Sequence, residues 1–434
     1  MRVLLHADSL IRDPAPMMIL AAILRKAGHK VVVSSRLTTF FYLKCWKPEY
    51  LVHSMPNAVA ALYDKGALKK DETKVLIIPQ EGMENHDDTM RAFYGGILRD
   101  EIRTVISKIY FWNQHQRDWF LNTAKYPTEK LVIQGNARLD LAKFSGTKRI
   151  KNGVIGFIGR FPTINKYDGS SFIRHMFSEQ NLKTELGKKN RILWFNTQIS
   201  ALAAYAEIIH YIMRETDYSV SIRPHHEEAL WNEGFKSLVD RYGSRIGIDR
   251  GLSIYEWSLG MDVLISTTSM TFAEAYLART PVIGIDKLAG CSDNLDADEA
   301  PILSSYEEMM LPNSFDEFKE LLDKCVGDNF VMPQNKMVEE IMKQEFLWPY
   351  NGSVLNEVAK AISSDEVKYS KRKMRLPLFF GDLFYFVQLF RFCYLKRGSF
   401  YTPKLVMGKH YNRLVHGVPK YITEIVENIT NNKK

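Results

Sequence analysis

The sequence predicts an α/β protein of two doubly wound, parallel-sheet domains facing a cleft, followed by a basic, aromatic, helical C-terminal tail. Three observations lead there. Short apolar runs alternate with amphipathic helical patterns along most of the 434 residues, as parallel strands joined by crossover helices require. The alternation breaks at a polar, basic stretch, LAKFSGTKRIKN (Leu141–Asn152), and then begins again. Charge is also divided unevenly. Of a formal +8, the segment Val367–Lys434 carries 14 Lys and Arg against 3 Asp and Glu, which leaves −3 for the rest. The expected domains are 1–145, 150–365 and 366–434.

The elements follow in order. Val3–His6 is a short buried run, Met17–Lys26 has helical spacing, and Val31–Val33 is the next strand. Gly28 suits the position just past the helix end. Such a βαβ unit implies a parallel pair. No GxGxxG fills its first turn, so a dinucleotide site is not indicated. Further strands are expected at Val75–Ile78, Lys108–Trp112 and Leu131–Gln134. The second series runs Val154–Ile158, Ile192–Phe195, Tyr218–Ile222, Ile246–Ile248, Val263–Ser266 and Val282–Ile285, with a helix over Ile199–Glu215. Hydrophobic residues at 46% and charged residues at 25% exclude a disordered or fibrous chain. Four scattered cysteines without a CxxC pair argue against a disulfide framework or structural zinc, and fit a reducing compartment.

Ligands of such sheets bind beyond the carboxyl ends of the strands, so motifs placed there weigh most. Pro79-Gln80-Glu81-Gly82 follows the strand at Val75. Glu81 suits a general acid/base or a sugar-hydroxyl partner, and equally a solvated turn; Gly82 lets a ligand approach the backbone. Gly135-Asn136-Ala137-Arg138-Leu139-Asp140 follows the strand at Leu131 and holds a charged pair that suits either a cleft or a surface ion pair. Arg223-Pro224-His225-His226-Glu227-Glu228 places a cation and an imidazole after another strand, as a phosphate or carboxylate ligand needs. The run Ser266-Thr267-Thr268-Ser269 opens a helix with more hydroxyls than an N-cap requires, and Glu274 stands about one turn on. No P-loop, GxSxG, HExxH or EF-hand pattern occurs, and no metal is expected.

Taken together, these motifs resemble the bacterial surface carbohydrate biosynthesis proteins. IRDPAPMMILAAILRKAGHKVVV is similar to that family's first helix, and PQEGM to its acidic-acidic-Gly motif. GNARLD is similar to GNPRxD, RPHHEE to RPHPxE, and STTSMTFAEAYLARTPVIGI to its hydroxyl-rich donor loop. The match spans roughly Met1 to Asn351. Gln80, Ala137 and His226 depart from it, replacing an acidic residue and two prolines.

The resemblance implies two Rossmann-like domains of GT-B type, related to retaining Kdo transferases of capsule and O-antigen assembly. It implies a nucleotide-sugar donor, CMP-linked, a glycan or lipid-linked glycan acceptor, and no cofactor. By it Asp140 matches the nucleophile and Glu81 the acid/base. Arg223, His225, Ser266, Thr268, Ser269 and Glu274 match the nucleotide side. The strand-end motifs themselves add Thr267 to that side and Gly82, Asn136 and Arg138 to the substrate cleft. The alternatives are a polyol-phosphate transferase of teichoic-acid type, or a non-catalytic scaffold, which the loss of a carboxylate at Gln80 keeps open.

In the tail, Lys371-Arg372-Lys373 precedes twenty mostly apolar residues, Leu376–Leu395, interrupted by Asp382, Gln388 and Arg391. The interruptions favour an interfacial helix on an anionic membrane, with a buried helix packing on the body as the alternative, over a spanning one. A cytoplasmic protein, peripheral on the inner face of the plasma membrane, is expected. The positive excess belongs to the tail, so no nucleic-acid partner is expected for the body.

Overall fold

The computed structural model describes residues 1–7, 14–35, 38–80, 87–146, 148–165, 185–225, 228, 233–249, 251, 253–291, 310–327, 330, 335–365 and 420–431. They form two compact units. The first comprises Met1–Gly146 together with the described residues from Glu340 onward, and the second is Thr147–Glu339 apart from its undescribed stretches.

The first unit runs β1 (Arg2–His6), α1 (Pro14–Lys26), β2 (Lys30–Ser34), α2 (Thr39–Cys45), β3 (Tyr50–His53), α3 (Pro56–Asp64) and β4 (Lys74–Ile77). It continues with α4 (Asp87–Tyr94), α5 (Asp100–Arg103), β5 (Ile106–Phe111), α6 (Gln114–Ala124), β6 (Leu131–Ile133) and α7 (Asp140–Phe144). The sheet is parallel, in the order β2-β1-β3-β4-β5-β6. α1 stops as its sequence suggests. Gly28 adopts φ +85°, its N–H reaches Arg25 O, and the His29 N–H reaches Leu24 O. That is a Schellman closure.

The second unit runs β7 (Val154–Ile158), α8 (Glu185–Glu215), β8 (Ser219–Arg223), α9 (Glu233–Tyr242), β9 (Ile246–Ile248) and α10 (Ile254–Leu259). Then come β10 (Val263–Ser266), α11 (Thr271–Leu277), β11 (Val282–Gly284) and α12 (Phe315–Val326). Its parallel sheet has the order β11-β10-β7-β8-β9. α13 (Lys336–Phe346), α14 (Val354–Ser363) and α15 (Lys420–Asn431) complete the described chain.

Four features differ from the sequence expectation. Ile192–Phe195 is not a strand but part of α8; Ile192 is 48% exposed, which a central parallel strand does not allow. β3 is an additional strand, only four residues long. The stretch 340–365 belongs with the first unit instead of ending the second. Finally, the last helix of the expected tail packs on the body: α14 and α15 both lie against α1, and Ile422, Ile425, Val426 and Ile429 are buried. The apolar stretch 376–395 lies outside the described residues. Among the described residues, no helix is long and apolar enough to cross a membrane.

This covering explains the composition of α1. It holds no charge from Pro14 to Leu24, and ten of its thirteen residues are buried, so it needs apolar partners beyond one sheet face. A chain ending at Asp365 should therefore melt at a lower temperature than the full chain, because the α15 side of α1 becomes exposed. Calorimetry of the two chains checks this; equal melting would show that α15 adds nothing.

Candidate functional site

In the second sheet the strand order reverses at β7, between β8 and β10, and the loops after these three strands carry the polar residues. Tyr205 of α8 ties two strand ends together, its hydroxyl 2.7 Å from Ile158 O and 3.2 Å from Ile265 O. Two buried carboxylates then fix the loops. Glu228 accepts from the backbone N–H groups of Phe161 and His225, both at 2.9 Å, and from Asn165 Nδ2 at 3.2 Å. Gly159 admits this arrangement, since a Cβ there would lie 2.8 Å from Glu228 Oε1 and 2.9 Å from Pro224 Cα. Asp286 accepts from Thr268 N–H and Thr268 Oγ1 at 3.0 Å.

Burial drives the electrostatics here. It pushes the Glu228 carboxyl up to about 7 against the pull of its three donors. It raises Asp286 as well, with the Thr268 donors and the Arg160 charge opposing. Arg160, in the loop after β7, has its guanidinium 5.4 Å from the Trp194 ring centre. Neither Glu228 nor Arg160 was singled out from the sequence. Glu228 could have been, because it ends the RPHHEE motif.

The nucleotide-side residues divide. His225 is half-buried and follows β8 directly, and Ser269 is half-buried after β10. Ser269 Oγ lies 3.1 Å from Thr271 Oγ1. Ser266, Thr267 and Thr268 are buried, and the Ser266 hydroxyl donates to Thr267 O at 2.5 Å. Glu274 is buried within α11. Arg223 is committed inside the unit: it pairs with Asp249, donates to Gly251 O at 3.1 Å, and sits 5.9 Å from the Trp257 ring centre.

In the first unit only one member of the expected catalytic pair lies among the described residues. Glu81 and Gly82 lie outside the described residues. Asp140 is fully buried. Its Oδ1 accepts from Tyr350 OH (2.5 Å) and Val354 N–H (3.2 Å), and its Oδ2 from Ser353 OH (2.7 Å) and Leu355 N–H (2.9 Å). The carboxylate thus sits at the N-terminus of α14, where a negative charge is stabilised. Burial raises its pKa while these four donors lower it. Both carboxylate oxygens are engaged, so in this structure Asp140 caps the start of α14.

The rest of the GNARLD turn supports this cap. Gly135 takes φ +89°, and a Cβ there would meet Tyr350 Cδ1 at 2.8 Å. The Asn136 side chain accepts from Arg138 N–H at 2.9 Å, and Arg138 Nη1 reaches Gln80 O at 3.4 Å. Gln80 is itself buried.

A further polar cluster went unremarked in the sequence. His6 and His53, the last residues of β1 and β3, stack with ring centres 3.8 Å apart. Among the described residues, no group of three or more His, Cys, Asp or Glu is arranged to hold a metal ion.

No family model matches the chain, and no curated protein matches it. Solved structures do. The wall teichoic acid polymerase TagF superposes with a TM-score of 0.51 at 11% identity, over 83% of this chain and 87% of its own. The S. aureus MnaA–UDP structure gives 0.43 at 11% identity, over 74% and 87% of the two chains. The Methanocaldococcus jannaschii UDP-GlcNAc 2-epimerase, in complex with UDP-GlcNAc and UDP, gives 0.45 at 12% identity, over 84% and 99%. At such identities the likeness is one of fold, two Rossmann-like domains of GT-B type.

Two outcomes are expected. Asp140→Asn leaves the α14 cap one acceptor short and without charge, and should cost about 2–4 kcal/mol in denaturant unfolding of the first unit; wild-type stability would return Asp140 to a chemical role. The second concerns pH. The folded state keeps the Glu228 proton to about 7, whereas the unfolded chain releases it near the ordinary 4.5. Stability from this group is full below 4.5 and is lost as pH rises through 7, by roughly 3 kcal/mol. Melting temperatures of Glu228→Gln should lack this decline.

Proposed function

We propose that the chain is a GT-B transferase of cell-surface polymer synthesis, with the second unit binding a nucleotide-activated donor. One observation carries the reading. The loops after β7, β8 and β10 meet at the strand reversal and are locked by Glu228 and Asp286 through backbone N–H groups. Loops held this way bring Arg160, His225 and the Thr267–Ser269 run to the carboxyl ends of the strands, where ligands of such sheets bind. A guanidinium, an imidazole and hydroxyls preset around a leaving phosphate stabilise its charge without reorganising.

The finer assignment rests on the resemblance: a sugar such as Kdo from a CMP-linked donor, a glycan or lipid-linked acceptor, and Glu81 as acid/base. With Asp140 committed to α14, we read the transfer as direct attack of an acceptor hydroxyl on the donor. The polyol-phosphate alternative draws support from the TagF superposition at a TM-score of 0.51, since that protein is a wall teichoic acid polymerase. The linkage separates the two, since a phosphodiester product shows in ³¹P NMR and a glycosidic one does not.

Thermal-shift screening of CMP-, CDP-, UDP- and GDP-linked donors tests the reading. A donor present at 100 times its dissociation constant should stabilise by about 2.7 kcal/mol. Arg160→Ala and His225→Ala should each lose at least tenfold in affinity by calorimetry without a lower melting temperature. Absence of any nucleotide-dependent shift overturns the assignment.

A further inference from the structure

α8 is far longer than the sheet it serves. Its 31 residues span roughly 46 Å, whereas β7 has five residues. Tyr205 marks the level of the strand ends, since its hydroxyl meets the last carbonyls of the β7 and β10 edge. A crossover helix runs back against its strands, so the residues before Tyr205 rise past those ends. Gln198 holds the loop after β7 against this rising part: its Oε1 accepts from Thr163 N–H at 2.9 Å and its Nε2 donates to Thr163 Oγ1 at 3.0 Å. The helix continues from there to Glu185, roughly 20 Å further.

This projecting end carries Ile192-Leu193-Trp194-Phe195. Successive helical residues stand about 100° apart, so the four together go all the way round the helix. A helix apolar on every side belongs in a buried setting. Yet Ile192 and Trp194 are 48% and 36% exposed, and Leu193 and Phe195 are only half-buried. Ile199 and Leu202 continue the exposed apolar surface at 46% and 41%. The charge beside it is one-sided. The opening ELGKKNR (185–191) holds three cations and one anion, and Lys188 and Lys189 are exposed. From Ile192 to Met213 the sequence has one formal charge, Glu207. A helix N-terminus favours anions and disfavours cations. Basic residues placed there oppose the helix itself, and an anionic partner outside it removes the conflict.

We infer that the N-terminal end of α8 docks on an anionic lipid surface, with the Ile192–Phe195 collar in the headgroup–acyl boundary and Lys188 and Lys189 on lipid phosphates. The collar selects lipid over a second copy of the chain. A partner helix covers one seam of α8 and leaves the other sides wet, whereas a lipid surface closes around a projecting tip. The side chains suit that depth. A Trp ring pairs an apolar body with one N–H and settles at headgroup level, and lysine stems lie along apolar surface with their ammonium groups in the polar layer. Trp194 also lies 5.4 Å from the guanidinium of Arg160, in the loop after β7. Docking therefore brings the polar strand ends of the second unit toward the lipid surface. It needs no donor, and stands whether or not this unit binds a nucleotide.

The first measurement is tryptophan quenching of the full chain by phosphatidylcholine–phosphatidylglycerol vesicles brominated on their acyl chains. The last of the seven tryptophans is Trp348, so the basic tail adds no signal. The wild type should be quenched, and Trp194→Phe, which keeps an apolar ring, should lose less than half as much fluorescence. Equal quenching in the two, or none in the wild type, overturns the proposal. The second is co-sedimentation with the same lipids unbrominated. Lys188→Glu together with Lys189→Glu should lower the partition coefficient at least tenfold, and added salt should weaken wild-type binding. Wild-type partitioning of that variant overturns the proposal and leaves the tail as the membrane contact. The third is sedimentation velocity without lipid, where a monomer is expected. A dimer that Ile192→Ser with Ile199→Ser splits overturns the proposal in favour of a second copy. All four substituted side chains are exposed, so melting temperatures should hold; should a double variant fail to fold, the Trp194→Phe quenching decides.

Discussion

A single buried carboxylate anchors the end of the chain to its beginning. Asp140 gives up its hydration, which costs several kcal/mol, and recovers it through two hydroxyls and two backbone N–H groups from Tyr350, Ser353, Val354 and Leu355. The N-terminus of α14 is thereby fixed to the first residue of α7. From there α14 and α15 lie along α1, and α1 can be apolar on every side. Smaller contacts follow the same seam: His29 Nε2 meets Ser363 Oγ at 2.8 Å, and Asn428 Nδ2 donates to Phe144 O at 2.8 Å. Without the cap, α14 would present unsatisfied N–H groups to a buried surface, which a folded protein does not tolerate.

The second unit applies the same chemistry to loops. Glu228 joins the turns after β7 and β8, and Asp286 holds the turn after β10. Asp262 accepts from Asn152 N–H at 2.9 Å and Gly153 N–H at 3.1 Å, setting the entry into β7. Three acidic side chains are thus spent on backbone N–H groups and not on solvent. The cost is electrostatic, since burial pushes Glu228 and Asp286 toward protonation. The gain is a set of turns that need no rearrangement to receive a charged ligand, which is the arrangement that transition-state stabilisation favours.

The connector shows how polarity misleads. Its basic residues resemble a solvated linker, yet they satisfy carbonyls inside the second unit. Arg149 donates to Met261 O at 3.3 Å and Arg279 O at 3.1 Å, and Lys151 to Val326 O at 3.2 Å. Cations suit the last carbonyls of a helix such as α12. Gln80 offers a parallel case. It is buried at the end of β4, where its neutral amide avoids the desolvation that the carboxylate of the resembled motif would suffer.

What could be read from residues alone was what depends on neighbours a few positions away. Apolar alternation located β1, β2 and most later strands, Gly28 marked the end of α1, and the strand-end motifs were found because strands and turns are written locally. Short or ambiguous runs failed: Tyr50–His53 is too brief to show a period, and Ile192–Phe195 reads equally as strand or helix until α8 surrounds it. The tertiary structure decided everything that needs a distant partner. Asp140 meets a hydroxyl 210 positions on, and His6 meets His53 only because β1 and β3 pair in register. Asp140 reads as a candidate nucleophile in sequence and serves as a helix cap in the fold because a carboxylate's role is set by the donors around it, and no local pattern names donors that far along the chain.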